Sequence, residues 1–170
     1  MKKTYITRRI DDLGRLVIPK DIRKVLKIKN NDQLEINVVD DKIVLNKYNF
    51  FEKDKNISII INSIKKCLNK NVLFTSRDNI IDYSLLSKKN ITNNMLSNEI
   101  MNIIEKRKMC IESGKLEIDN DKLDQKFLVN PIIINGDIYG SIIIYGNEDI
   151  STKDIEIISF VNIFLENYLE

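Results

Sequence analysis

Basic side chains are concentrated near the amino terminus of this 170-residue chain. The first 29 residues carry ten lysines and arginines against three aspartates, a net charge of +7. Guanidinium and ammonium groups bind phosphate oxygens, and together they release the counterions that surround a polyanion. The concentration of positive charge therefore predicts a basic binding surface at this end of the chain.

The net charge of the whole chain, only +2, hides this asymmetry. Residues 1–48 contain 12 basic and 7 acidic side chains, a net of +5, whereas residues 49–170 contain 15 basic and 18 acidic side chains, a net of −3. This division predicts a basic binding module joined to a near-neutral second part. The alternative explanation of this charge division is chance variation between small domains. For any single basic side chain, the alternative to a binding role is a place on a solvated charged surface.

Composition argues against several kinds of chemistry. The chain has no histidine, which excludes histidine-based metal sites, catalytic triads and proton shuttles. Cys67 and Cys110 form no Cys-x-x-Cys pair, and we expect both to be buried structural thiols. With five glycines, no glycine-rich phosphate loop is present. The sequence therefore predicts a protein that is not an enzyme and that holds no metal or cofactor.

The sequence also bears on the compartment. It contains no apolar run of 18 residues and no leader pattern at its amino terminus. We therefore expect a cytoplasmic protein with reduced thiols and no membrane partner.

The elements that must position the basic residues form a small β-rich unit. The apolar segments and the turn residues between them predict the order β-β-α-β-β: residues 5–10, residues 15–18, a helix that begins at Pro19, residues 34–38 and residues 43–45. Leu34, Ile36 and Val38 alternate with polar residues, as in a half-buried strand. A unit this small, without disulfides or metals, buries too little surface to be stable alone. We therefore expect an obligate dimer, and packing on the C-terminal part of the chain is the alternative.

The same residues carry a family resemblance. Residues 8–23, with 32–36 and 42–48, closely resemble the signature of the AbrB/SpoVT family of swapped-hairpin DNA-binding domains. The resemblance implies an interlocked dimeric β-barrel that binds double-stranded DNA. It also implies DNA-binding roles for Arg8, Arg15, Arg23 and Lys24, although many relatives have arginine at the last position, so a phosphate contact is expected there. Arg9 is added because of its own charge and position, and simple alternation along the strand favours Arg9 over Arg8 as the outward residue.

The sequence of the C-terminal part predicts, in chain order, a helix, antiparallel strands, a second helix, a hairpin and a final helix. Apolar stripes predict helices over residues 57–68, about 91–109 with Ser97 as the N-cap, and from Ser151 to the C-terminal end. Two apolar runs, residues 127–134 and 138–145, surround Asn135 and Gly136, a strong hairpin signal. Because both runs are apolar on both faces, the sheet should be covered on both sides.

This order resembles a GAF domain over about residues 56–170. The resemblance implies an unidentified small-molecule ligand and a bundle of the first and last helices with another subunit, which would make a homotetramer from two dimers. The alternative for both helices is packing on their own sheet.

The sequence therefore predicts an α+β protein with three parts: a DNA-binding domain at residues 1–50, a linker at 51–55 and a GAF-like sensor or oligomerisation domain at 56–170. The resemblance implies a transcription regulator that controls genes of endospore formation. An antitoxin-like or ligand-sensing protein-interaction module is the alternative. The sequence assigns no ligand-binding residue.

Overall fold

A computed structural model gives the fold of residues 6–28, 30, 32, 34–47, 56–87, 90–118 and 121–169. The chain divides into two compact units, Met1–Tyr48 and Asn49–Glu170. The predicted linker at residues 51–55 lies outside the described residues.

The N-terminal unit contains one short helix and one hairpin. Helix α1 (Lys20–Val25) begins one residue later than predicted, because Pro19 occupies the N-cap and not the first helical position. Strands β1 (Leu34–Val39) and β2 (Lys42–Lys47) pair antiparallel, with Val38 opposite Ile43. Asp40, in the turn between them, has a φ of 51°, a left-handed conformation that aspartate tolerates better than most residues. The second predicted hairpin of this unit is therefore present.

The first two predicted strands are not formed within the chain. Residues 6–10 and 15–18 have no strand pairing, so the prediction of two strands there is wrong for a single chain. The apolar face predicted for β1 is also uncovered, because Ile36 is 68% and Val38 75% exposed. The physical reason is the same in both cases: the unit has too few residues to cover these segments with its own chain.

The C-terminal unit is built on a five-stranded antiparallel sheet. In chain order its elements are α2 (Asn56–Leu68), β3 (Asn71–Thr75), β4 (Ile80–Ser84), α3 (Asn98–Glu105), β5 (Cys110–Ile118), β6 (Asp121–Ile134), β7 (Asp137–Tyr145) and α4 (Thr152–Leu169). The strand order is β4-β3-β7-β6-β5. The predicted β6–β7 hairpin is confirmed, and Asn135 and Gly136 both have the positive φ that its tight turn requires.

Helix α3 is shorter than the periodicity predicts. It begins after Ser97, whose side chain accepts a hydrogen bond from the N–H of Ile100, so the predicted N-cap is confirmed. Residues 91–96 are not helical, because Ile80 N–H donates to the Asn94 carbonyl and Leu96 N–H to that of Asp78, which ties this segment to the β3–β4 turn.

Two hydrophobic cores cover the sheet, one on each face. On one face α2 and α4 contribute buried residues that include Ile57, Ile61, Ile158 and Leu165. On the other face α3 contributes Ile100 and Ile104. The prediction of a sheet covered on both sides is confirmed.

Candidate nucleic-acid interface

The five predicted basic residues belong to two local features of the N-terminal unit. Arg8, Arg9 and Arg15 lie in or beside the turn at residues 11–15, and Arg23 and Lys24 lie on α1. Four of these side chains are exposed and that of Arg23 is half-buried. Exposed guanidinium and ammonium groups can reach phosphate oxygens without any unfolding, so this arrangement suits contact with a polyanion.

The turn is closed by hydrogen bonds in both directions. The Gly14 N–H donates to the Asp11 carbonyl at 2.9 Å, and the Asp11 N–H donates to the Arg15 carbonyl at 3.1 Å. Gly14 has a φ of 75°, a left-handed conformation that a glycine adopts at low cost. A three-residue loop with a left-handed glycine is a common hairpin connection. The turn therefore directs the chain back antiparallel to itself.

Arg15 is held by the carboxylate of Asp11. The Nε of Arg15 donates to Asp11 Oδ2 at 2.7 Å, and the side chains of Arg15 and Asp11 remain 71% and 43% exposed. Asp11 Oδ1 accepts the N–H groups of Leu13 and Arg15 at 3.0 and 2.8 Å. The hydrogen bonds from the Arg15 N–H and its guanidinium, and then that from Leu13, lower the pKa of Asp11.

The sequence alone indicates no more than a turn at Asp11. The signal that could have revealed more is local: an aspartate three residues before a glycine and four before an arginine. An aspartate that accepts backbone N–H groups two and four residues later can place its second oxygen beside that arginine.

Arg23 has an internal role as well as an external one. Its Nη1 donates to the side-chain oxygen of Asn30 at 3.0 Å, which joins α1 to the segment that precedes β1. Its Nε is buried and has no hydrogen-bond partner among the described residues. Lys24, the next residue of α1, is exposed. Removal of Arg23 would therefore disturb local structure, whereas removal of Arg15 would disturb only the turn.

The two cysteines do not form a joint site. Cys67 is exposed on α2 because the buried stripe of that helix, which includes Ile64 and Leu68, leaves position 67 outside. The prediction that Cys67 is buried is therefore wrong. Cys110 pairs with Val129, whose side chain belongs to the core on the α3 face, whereas α2 packs on the other face. The sheet thus separates the two thiols, which are both free.

Two further features are absent from the described part of the chain. No three histidine, cysteine or acidic side chains lie together there as a metal site. Among the described helices, none has the length and apolar character needed to cross a membrane.

Comparison with known proteins assigns the chain to a family. The family model described as Stage V sporulation protein T C-terminal, transcription factor, matches residues 58–165. Stage V sporulation protein T of Bacillus subtilis (strain 168) is 36% identical over 156 residues, which are 87% of this chain and 86% of that protein. The chain belongs to the stage V sporulation protein T family. This is a family of transcription factors.

The region that carries the basic residues has relatives of its own. The transition state regulatory protein AbrB of Bacillus subtilis (strain 168) is 54% identical over 48 residues, 28% of this chain and 50% of AbrB. A second family model, Antidote-toxin recognition MazE, bacterial antitoxin, matches residues 7–61. The resemblance of the N-terminal residues to the AbrB/SpoVT signature is confirmed.

The C-terminal unit has the fold predicted for it. The cofactor binding GAF domain of the nutrient sensor CodY from Clostridium difficile is similar, with a TM-score of 0.50, over 66% of this chain and 83% of that chain. The two are 15% identical, so the likeness concerns the fold alone. The α+β class and the GAF-like antiparallel sheet with flanking helices are confirmed for this member of the family.

Proposed function

We propose that this transcription factor is a cytoplasmic protein that binds double-stranded DNA as a homodimer and controls genes of sporulation. The residues that would contact the DNA are Arg8, Arg9, Arg15, Arg23 and Lys24. The observation that carries the proposal is the exposure of four of these five cations, on a turn and a helix of a unit 54% identical to AbrB. The names of both Bacillus relatives support a regulatory role.

The geometry favours DNA contacts that are dominated by the backbone phosphates. Helix α1 has six residues, fewer than two turns, and is too short to present a long row of side chains to the bases. Exposed arginines and lysines gain affinity by releasing counterions, which does not depend on base sequence. Specificity would then come from the shape and bendability of DNA, with a few arginine contacts to bases.

The dimer is supported by the apolar surface of the N-terminal unit. No residue of α1 is buried, and the large apolar residues of this unit that are at least half exposed are Ile10, Leu13, Leu16, Val17, Val25, Leu26, Ile36, Val38, Val39 and Ile43. So large an uncovered apolar surface in a small unit needs a partner, and a second copy of the chain supplies a matching one. In the dimer, residues 6–10 and 15–18 would pair with strands of the partner and complete the swapped-hairpin barrel.

A tetramer is proposed for the C-terminal unit. Helix α4 buries Ile158 and Leu165 but leaves Phe160 70%, Ile163 58% and Phe164 47% exposed. Packing on its own sheet therefore accounts for only one side of the helix. The other side could meet the same helix of a second dimer. A small-molecule ligand of the GAF-like unit is also proposed, without assigned residues.

Antitoxin-like binding of a protein partner is the second candidate function. The match of residues 7–61 to the MazE antitoxin model favours it. In that case the basic unit would bind a protein, and DNA affinity would be weak.

The experiment that tests the proposal is a salt series on the full chain with an AT-rich duplex of about 30 base pairs. We expect log affinity to fall linearly with log salt, with a slope of about −0.9 for each phosphate contact. Arg15→Ala should make the slope less negative by about 2 for a dimer, because each protomer loses one phosphate contact. Lys115→Ala, which removes an exposed lysine of β5, should leave the slope unchanged. No binding at low salt would favour the protein-partner function.

A further inference from the structure

Asp11 places a negative charge beside the arginine that we propose for DNA binding. A carboxylate next to a phosphate contact opposes binding through charge repulsion, so its presence calls for a compensating role. Both of its oxygens are in use: Oδ1 accepts two backbone N–H groups and Oδ2 accepts Arg15 Nε. By contrast, the adjacent Asp12 is exposed and makes no hydrogen bond among the described residues.

The contact through Nε leaves the phosphate-binding edge of Arg15 available. A guanidinium has five N–H donors, of which Nε carries one and the two terminal nitrogens carry the others. Within the described part of the chain the terminal nitrogens of Arg15 have no hydrogen-bond partner, and its side chain is 71% exposed. The carboxylate therefore restrains the side chain without covering the donors that a phosphate would use.

We propose that Asp11 is a positioning residue of the DNA-binding surface. Its carboxylate fixes the turn and orients the Arg15 guanidinium before DNA arrives, and this raises affinity even though its own charge opposes binding. An arginine that is already oriented loses less side-chain freedom when it binds. This inference rests on the proposed DNA-binding function.

The test compares Asp11→Asn with Asp12→Asn in the full chain on the same AT-rich duplex. Each variant removes one negative charge from the same turn, so charge alone predicts equal gains in affinity. We expect Asp12→Asn to strengthen binding slightly, because it removes only repulsion. We expect Asp11→Asn to weaken binding about threefold per protomer, or about tenfold for the dimer, the size expected for loss of an exposed ion pair. An equal gain for both variants would overturn the proposal.

The Arg15→Gln background separates positioning from a purely structural effect. If Asp11 acts through Arg15, Asp11→Asn should cause no further loss in that background and should behave like Asp12→Asn. If Asp11 only holds the turn together, the loss should persist without Arg15. That persistent loss would contradict the positioning role.

A second readout needs no DNA. In nitrogen-15 relaxation of the free chain, the Arg15 Nε–H should be ordered, should become mobile in Asp11→Asn and should remain ordered in Asp12→Asn. An equally mobile Nε–H in all three chains would overturn the positioning role even if DNA binds tightly. An ordered Nε–H in a chain that binds no DNA at low salt would instead overturn the proposed function, and the role of Asp11 in DNA binding with it.

Discussion

Lys70 and Asp154 form an ion pair in the interior of the C-terminal unit, with 3.7 Å between Nζ and Oδ2 and 4% of each side chain exposed. Lys70 Nζ also donates to the carbonyl oxygens of Glu148 and Asp149, at 3.2 Å each. Asp154 Oδ2 accepts the N–H and the hydroxyl of Ser151 at 2.7 and 2.9 Å. The pair thus joins the residue before β3 to the first turn of α4.

Lys70→Met should destabilise the C-terminal unit strongly. The variant keeps most of the side-chain volume but leaves the Asp154 carboxylate buried without its cation, which costs about 3–5 kcal/mol. Urea denaturation monitored by circular dichroism would measure the loss of unfolding free energy. Lys66→Met, which removes an exposed lysine of α2, is the matched control and should change the free energy of unfolding by less than about 0.5 kcal/mol. Equal effects of the two variants would show that the buried pair contributes nothing to the stability of the C-terminal unit.

The pKa of Asp11 provides a second prediction. It is lowered from the ordinary value of 3.8, first by the Arg15 N–H and then by the Arg15 guanidinium. Because the pKa is lower in the folded chain, the contribution of Asp11 to stability is present above pH 3.8 and is lost as the pH falls through the folded value. Arg15→Gln should raise the pKa of Asp11 only part of the way towards 3.8, because the backbone N–H of residue 15 still donates to the carboxylate.

Carbon-13 NMR of the Asp11 carboxyl during an acid titration would measure this change. Arg9→Gln removes another cation close in sequence and is the control, because among the described residues Arg9 forms no hydrogen bond or ion pair with Asp11. A rise of equal size in both variants would mean that general charge, and not the Arg15 contact, lowers the pKa.

Val38→Asp tests the proposed dimer. Val38 is 75% exposed in the single chain and lies opposite Ile43 across β1 and β2. A charge at an exposed position would cost a monomer little, but in a dimer it would be buried without a partner. We expect Val38→Asp to abolish dimers of residues 1–52 in analytical ultracentrifugation. Asn37→Asp adds the same charge to the other face of β1 and should leave them intact. A dimer that tolerates Val38→Asp would contradict the shared barrel.

The sequence predicts those parts of the fold that local chemistry determines. Asn135 and Gly136 identify the β6–β7 hairpin because few other residues accept the required positive φ. Ser151 and Asp154 satisfy each other's backbone N–H groups, so the start of α4 is visible in the sequence as a capping box. The AbrB/SpoVT signature in residues 8–23 likewise identifies the N-terminal unit.

Features that depend on distant or external contacts are less visible in the sequence. Strand β5 lies at the sheet edge, alternates charged with apolar residues and contains Gly114. It therefore has no long apolar run, and the sequence does not predict it. Residues 15–18 have strand-forming side chains but no partner strand within the chain. The contact between Asp11 and Arg15 depends on the geometry of a single turn, which residue types alone do not specify.

Phe160 is the residue on which the proposed tetramer is best tested. It is 70% exposed on α4, on the same face as Ile163 and Phe164, and Phe164 stacks on Tyr168 with 5.8 Å between the ring centroids. Because Phe160 contributes little to the core of its own unit, Phe160→Asp should leave the fold intact. It should nevertheless convert tetramers into dimers, since a carboxylate would be buried between the helices.

Sedimentation equilibrium of the full chain would distinguish the species, with Phe160→Leu as the control that keeps an apolar side chain at this position. We expect the leucine variant to remain tetrameric, because the loss of part of one side chain weakens but does not reverse apolar burial. Two results would contradict the bundle: a tetramer that survives Phe160→Asp, or an unsubstituted chain that is already a dimer at the same concentration.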